Sequence, residues 1–96
     1  MDDQPKLLDA EMKVLPTELE GLVELLARNV HDQWAQERQR QGWTWGERRD
    51  DSKNEHPGIV PYDMLSEDEK EVDRVTVRAV ISSLLAHGAT ITIDGC

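Results

Sequence analysis

A mainly α protein with minor β content (α+β) is expected from three features of this chain. Two long stretches carry apolar residues at three- and four-residue spacing, a helix-start signal precedes or opens each, and a glycine follows each. Two long helices should pack together, joined by a long tryptophan-containing loop with short β segments. At 96 residues the chain has the length of one domain. We divide it into an N-terminal arm, 1–16, and a domain, 17–94.

The arm is expected to be irregular or a short helix around Leu7, Leu8, Met12 and Leu15. The first long helix should span 17–41. Thr17 followed by Glu20 has the pattern of a capping box, and Pro16 keeps the preceding chain extended. Leu19, Leu22, Val23, Leu26, Val30 and Trp34 make one apolar face, and Gly42 ends the helix. The second helix should span 66–87, with Ser66 and Glu69 as its capping box and Glu67, Asp68 and Glu69 favoured by the helix dipole. Val72, Val75, Ala79, Val80 and Leu84 form its expected inner stripe, widened by Ile81 and Leu85, and Gly88 stops it.

Residues 43–65 are too many for a plain turn and read as a functional or tightly packed loop. Gly46, Pro57, Gly58 and Pro61 prevent a helix there. Ile59-Val60 and Thr90–Ile93 are short β-type runs that could pair into a small sheet.

The formal net charge is −9, from 20 acidic and 11 basic side chains. Such a chain repels phosphate backbones, so nucleic acid is not an expected partner. One cysteine, Cys96, excludes an internal disulfide framework and a cysteine-rich zinc site. No apolar run reaches the roughly 18–20 residues that span a bilayer, so no membrane association is expected. The acidic, polar opening does not resemble a secretory signal, and a cytoplasmic protein is expected.

The segment 28–62 is different from its flanks. It balances six bases with six acids and holds all four aromatic residues, Trp34, Trp43, Trp45 and Tyr62, with His31 and His56. One explanation is that large residues pin a long connection; the other is a binding surface. A metal site is not expected, because no two candidate ligands share the i, i+4 spacing of a helical zinc site. Catalysis is not expected either: no Ser or Cys has a base and an orienting partner within a motif, and no glycine-rich loop opens a helix.

The residues resemble a known family. Glu24–Ala35, then Gly42-Trp43-Thr44-Trp45-Gly46, then Arg49-Asp50-Asp51 with Lys53, are similar to the ryanodine-receptor repeat, the RyR domain. His56-Pro57, Val60-Pro61-Tyr62, Leu65-Ser66, Glu69-Lys70, Asp73-Arg74 and Ser83–Gly88 continue the pattern in order. The resemblance covers roughly 20–93, with the first fifteen residues outside it. It implies a small module of two main helices with short β segments, as in single-copy bacterial or phage members suspected of binding nucleotide-derived signals. In the tandem channel repeats, adenine nucleotide lies between two copies with the Trp of each Gly-Trp motif on the base. The matching position here is Trp43. With one repeat, either a second copy completes the site or the site does not form.

The ligand-binding residues expected on this reading are Trp43, Trp45, Arg48, Tyr62, Arg74 and His31. Trp43 and Trp45 flank Thr44 and would share a side of an extended stretch. Arg48 and Arg74 would meet phosphates, whereas Arg49 is expected in a local ion pair with Asp50 or Asp51. His31 is either a ligand group or a hydrogen-bonding group at the edge of the core. Tyr62 either reaches the ligand or caps the core. Trp34 belongs to the core, and His56 braces the loop. The expected function is a non-enzymatic module binding an adenine nucleotide or a nucleotide-derived messenger as a homodimer, with no cofactor, sensing or sequestering a signal between phage and host. The alternative is a protein-interaction module with no small-molecule ligand.

Overall fold

The computed structural model describes residues 15–93. Most of the expected arm, residues 1–14, and residue 94 at the end of the expected domain lie outside that range. Helix α1 spans Thr17–Arg40 and helix α2 spans Glu67–Ala86. Between them come β1 (Thr44–Trp45), β2 (Glu55–His56) and a single 3-10 turn, Tyr62–Met64.

Helix α1 begins one residue earlier in its cap than the sequence pattern implies. Pro16 is the capping residue and no side chain caps the helix, so the Thr17–Glu20 capping box does not form. Proline already holds the extended backbone that a cap needs, and the Pro16 carbonyl accepts the amides of Leu19 and Glu20 at 3.0 and 2.9 Å. Helix α2 does carry its capping box: Ser66 Oγ accepts from the Glu69 amide, and the Glu69 carboxylate accepts from the Ser66 amide. Gly42 and Gly88, each at φ +93°, end the helices in the left-handed region as expected.

The buried ridge of α1 is Leu19, Val23, Ala27, His31 and Ala35, a strict four-residue spacing. This i±4 ridge interlocks with a neighbouring helix, and the small Ala27 and Ala35 allow close approach. Val30, expected inside, is exposed, and Trp34 is half-buried.

On α2 the expected inner stripe is turned outward. Val72, Val75, Val80 and Leu84 are exposed, whereas Val77, Ile81 and Ser82 are buried. Charge pairing accompanies the rotation. Arg74 and Arg78 cross to α1 and meet Glu24 at 2.6 Å and Glu20 at 2.8 Å, which sets the helices antiparallel.

The expected pairing of Ile59-Val60 with Thr90–Ile93 does not form. Residues 90–93 have no regular secondary structure and no strand pairing, and Ile91 and Ile93 pack against the core as side chains. The sheet that exists is two residues wide: β1 and β2 run parallel, with Thr44 opposite Glu55 and Trp45 opposite His56. The core holds Leu15, Leu19, Val23, Ala27, Tyr62, Leu65, Val77 and Ile81. Leu15, assigned to the arm, is therefore part of the domain's packing.

The carboxylates of this network make stability fall in acid. Glu24 is held below its ordinary value of 4.5 first by its hydrogen bond to Arg74, Glu37 by Arg40, and Glu69 by the Ser66 amide. Asp63 is held below its ordinary 3.8 by Arg28, and Asp50 by the Ser52 hydroxyl. A lowered folded value means stability that is fully present above the unfolded value and lost as pH falls through the folded one. Thermal melts should give a constant Tm from neutral pH to about pH 5 and a falling one below it. A Tm that rose on acidification across that range would contradict this assignment.

Candidate functional site

Past Arg40 the backbone turns sharply at Gly42, and the Trp43 amide donates to the Arg38 carbonyl at 2.9 Å. That bond ties the tryptophan to the last turn of α1. Arg38 follows from the same geometry: its guanidinium carbon lies 5.5 Å from the centre of the Trp43 ring. The next amide, of Thr44, donates to Asn54 and brings the far end of the loop back. Asp50 shapes the tip by accepting from the Ser52 and Lys53 amides, and Asn54 takes a left-handed φ of 55°. Arg49 pairs with Asp51 at 2.9 Å, the local ion pair expected from the sequence.

Two of the clefts that result share the walls Trp34 and His56. The smaller, about 140 Å³, is lined by Trp34, Arg38, Trp43, Arg49 and His56. Its chemistry is a tryptophan ring and two guanidinium groups around one opening. The larger, about 350 Å³, is lined by Val30, His31, Trp34, His56, Gly58, Leu65, Glu69, Val72 and Asp73. Trp34 and His56 meet edge to face with ring centres 5.1 Å apart.

Gly58 permits that arrangement. A Cβ there would stand 3.1 Å from the His56 ring and 3.5 Å from Trp34. Its amide donates to His56 Nδ1 at 2.8 Å, so His56 braces the loop as expected. His31 is buried in α1 and its Nε2–H donates to the Val60 carbonyl at 2.8 Å. Its Nδ1 lies 3.8 Å from the Asp73 carboxylate, beyond hydrogen-bond reach. Burial pushes the Asp73 carboxyl up from its ordinary value, opposed by the nearby His31.

The six residues expected at a ligand do not converge. Trp43 lines the smaller cleft and His31 the larger. Trp45 is 56% exposed and lines neither, because the strand pairing of Thr44–Trp45 directs the chain away after Trp43. Arg48 is exposed and lines neither cleft.

Tyr62 is completely buried in the helix seam, with Arg28 and Lys70 5.2 and 5.6 Å from its ring centre, so it caps the core. Burial raises its phenol above the usual range. Arg74 is committed to Glu24, Glu67 and Glu71, which leaves no free charge for a phosphate. Those three acids hold its guanidinium far above its ordinary value, with Glu24 the largest influence.

Sequence reasoning passed over Arg38 and Asp73 as site residues, and weighed Arg49 but assigned it to its ion pair. Arg38 was visible as a cation in the last turn of α1, five positions before Trp43. Asp73 gives no local signal, because only the cross-helix packing places it beside His31.

The family model for the RyR domain matches residues 3–93. The chain belongs to the RyR-domain family. The match begins ahead of the 20–93 range carried by the quoted motifs, so it takes in most of the segment assigned to the arm. Among the described residues, this RyR domain has no helix long and apolar enough to cross a membrane.

Proposed function

We propose that this RyR domain is a non-enzymatic module for an adenine nucleotide or a nucleotide-derived messenger. The base lies against Trp43 and the phosphates meet Arg38, while Arg49, at the same opening, is held by Asp51. The observation that carries the reading is the smaller cleft, where a half-buried indole and two guanidinium groups share one opening. Base stacking on an aromatic ring is worth about 1–3 kcal/mol, and guanidinium groups give charge-assisted bonds to phosphate.

At about 140 Å³ the cleft is smaller than the roughly 300–1,000 Å³ of small-molecule sites, so a nucleotide would overhang it. A homodimer that brings two Trp43 rings together would close the overhang. The module would sense or sequester its ligand in the cytoplasm, and the family resemblance points to conflict between phage and host as the setting.

A protein-interaction role has one specific observation in its favour, the exposed apolar residues Val72, Val75, Val80 and Leu84 of α2. Titration with mono-, di- and cyclic nucleotides, read by tryptophan fluorescence and by calorimetry, separates the two. The expected result is saturable binding of at least one adenine nucleotide, weakened at least roughly tenfold by Trp43→Ala or Arg38→Ala. No binding of any nucleotide at millimolar concentration would overturn the reading. Stoichiometric recovery of one partner protein without nucleotide would then favour the interaction role.

A further inference from the structure

The larger cleft differs chemically from the one beside Trp43. Its volume, about 350 Å³, lies within the range of small-molecule sites. Its charged lining is Glu69 and Asp73, and no Lys or Arg stands among its walls. A phosphate would be repelled there, so the nucleotide proposed above does not account for this space.

His31 offers an anion little, because its Nε2–H is spent on the Val60 carbonyl; His56 Nδ1 accepts from the Gly58 amide, which leaves only its Nε2–H as a donor. Glu69 is partly spent as well, with Oε1 accepting from the Ser66 amide and hydroxyl. Asp73 is different. Its side chain is 23% exposed, and the nearest basic group paired with it is the His31 ring, whose Nδ1 lies 3.8 Å away, beyond hydrogen-bond reach. A carboxylate drawn this far from water is stabilised by a cation beside it. Around it stand a tryptophan ring and the apolar side chains of Val30, Leu65 and Val72. Val72 is 65% exposed and Val30 is also exposed, so both would be covered by an occupant with an apolar body. A metal ion is not the fit: among the described residues no three His, Cys, Asp or Glu side chains come together as ligands.

We infer that this cleft binds an organic cation, an ammonium or guanidinium group on an apolar stem. Asp73 is the counter-ion, Trp34 and His56 form the ring wall, and Val30, Leu65 and Val72 take the stem. Aromatic walls with one half-buried carboxylate suit such a cation, because ring faces and carboxylate both attract positive charge. The group arrives either on a free amine or as a lysine or arginine side chain of a partner.

The test titrates the wild-type chain with pentylamine, with 1-pentanol and pentanoate as controls of matched stem. Agmatine and a blocked arginine tripeptide follow. Backbone amide and indole NMR shifts serve as the readout. Pentylamine should bind saturably and shift the indole of Trp34, with the alcohol and the acid at least roughly tenfold weaker. Asp73→Asn should weaken the amine by a similar factor while the far-UV circular dichroism of two helices is kept.

Trp43→Ala should leave amine binding unchanged, which separates this inference from the nucleotide reading. Binding of agmatine assigns the group to a free amine, and binding of the tripeptide alone assigns it to a partner's side chain. Either outcome upholds the chemistry. Equal binding of pentylamine and 1-pentanol, or an Asp73→Asn variant that binds the amine as wild type does, would overturn it.

Discussion

Tyr62→Ala is expected to cost about 3–5 kcal/mol of folding stability, the largest loss from any single truncation in this domain. Tyr62 is the one large side chain sealed completely among the described residues, and it touches both halves of the fold. Its amide donates to Asp32 on α1 at 3.2 Å, and its ring lies between Arg28 of α1 and Lys70 of α2. Truncation leaves a cavity in the seam and strands two cations that had an aromatic face. Total stabilities of small domains are about 5–15 kcal/mol, so such a loss is a large fraction of the whole. Tyr62→Phe should behave differently. The phenol oxygen meets no partner with hydrogen-bond geometry, although the Glu24 carboxylate is near enough to push the phenol up further, so its removal should change stability by about 1 kcal/mol or less. Urea unfolding of the two variants, followed by circular dichroism, checks both. Equal losses would show that the hydroxyl, and not the ring, holds the seam.

Gly46→Ala is expected to disrupt the β1–β2 pair and to cost about 1–3 kcal/mol, as overpacking of a close contact does. Gly46 is buried and its amide donates to the His56 carbonyl at 3.3 Å. A Cβ there would stand 2.5 Å from the Glu55 Cβ and 2.9 Å from its carboxylate oxygen. Glu55 Cβ is fixed to the partner strand and cannot swing aside as a side-chain tip would. The strands must separate, and His56, which walls both clefts, must move with them. The variant should therefore lose stability and ligand binding together. Loss of neither would mean that the strand pair does not position the loop.

The helices were legible because their signals are local. Ser66 with Glu69, Gly42 and Gly88 act within one turn of chain, and each does in the fold what its position implies. The face of α2 was not legible. Val72, Val75 and Val80 present as good an apolar stripe as Val77 and Ile81, and the face that is buried goes with contacts such as Arg74 to Glu24 and Arg78 to Glu20, some fifty residues away in sequence. The same holds for the site. Trp43 follows from the Gly-Trp motif next to a helix end. Arg38 beside it requires knowing that the backbone turns back onto the last turn of α1. Arg74 failed as a phosphate ligand for the reason Asp73 escaped notice: both are defined by what α1 places opposite them.

The family to which the chain belongs and the fold it takes both bring attention to one ring. The most direct measurement records the three tryptophan indole N–H resonances during titration with adenine nucleotides, each assigned by single substitution. The Trp43 resonance should move saturably and furthest, that of Trp34 less, and that of Trp45 hardly at all, because Trp45 lines neither cleft. A response confined to Trp45, or three resonances unmoved at millimolar nucleotide, would contradict the placement of the base on Trp43.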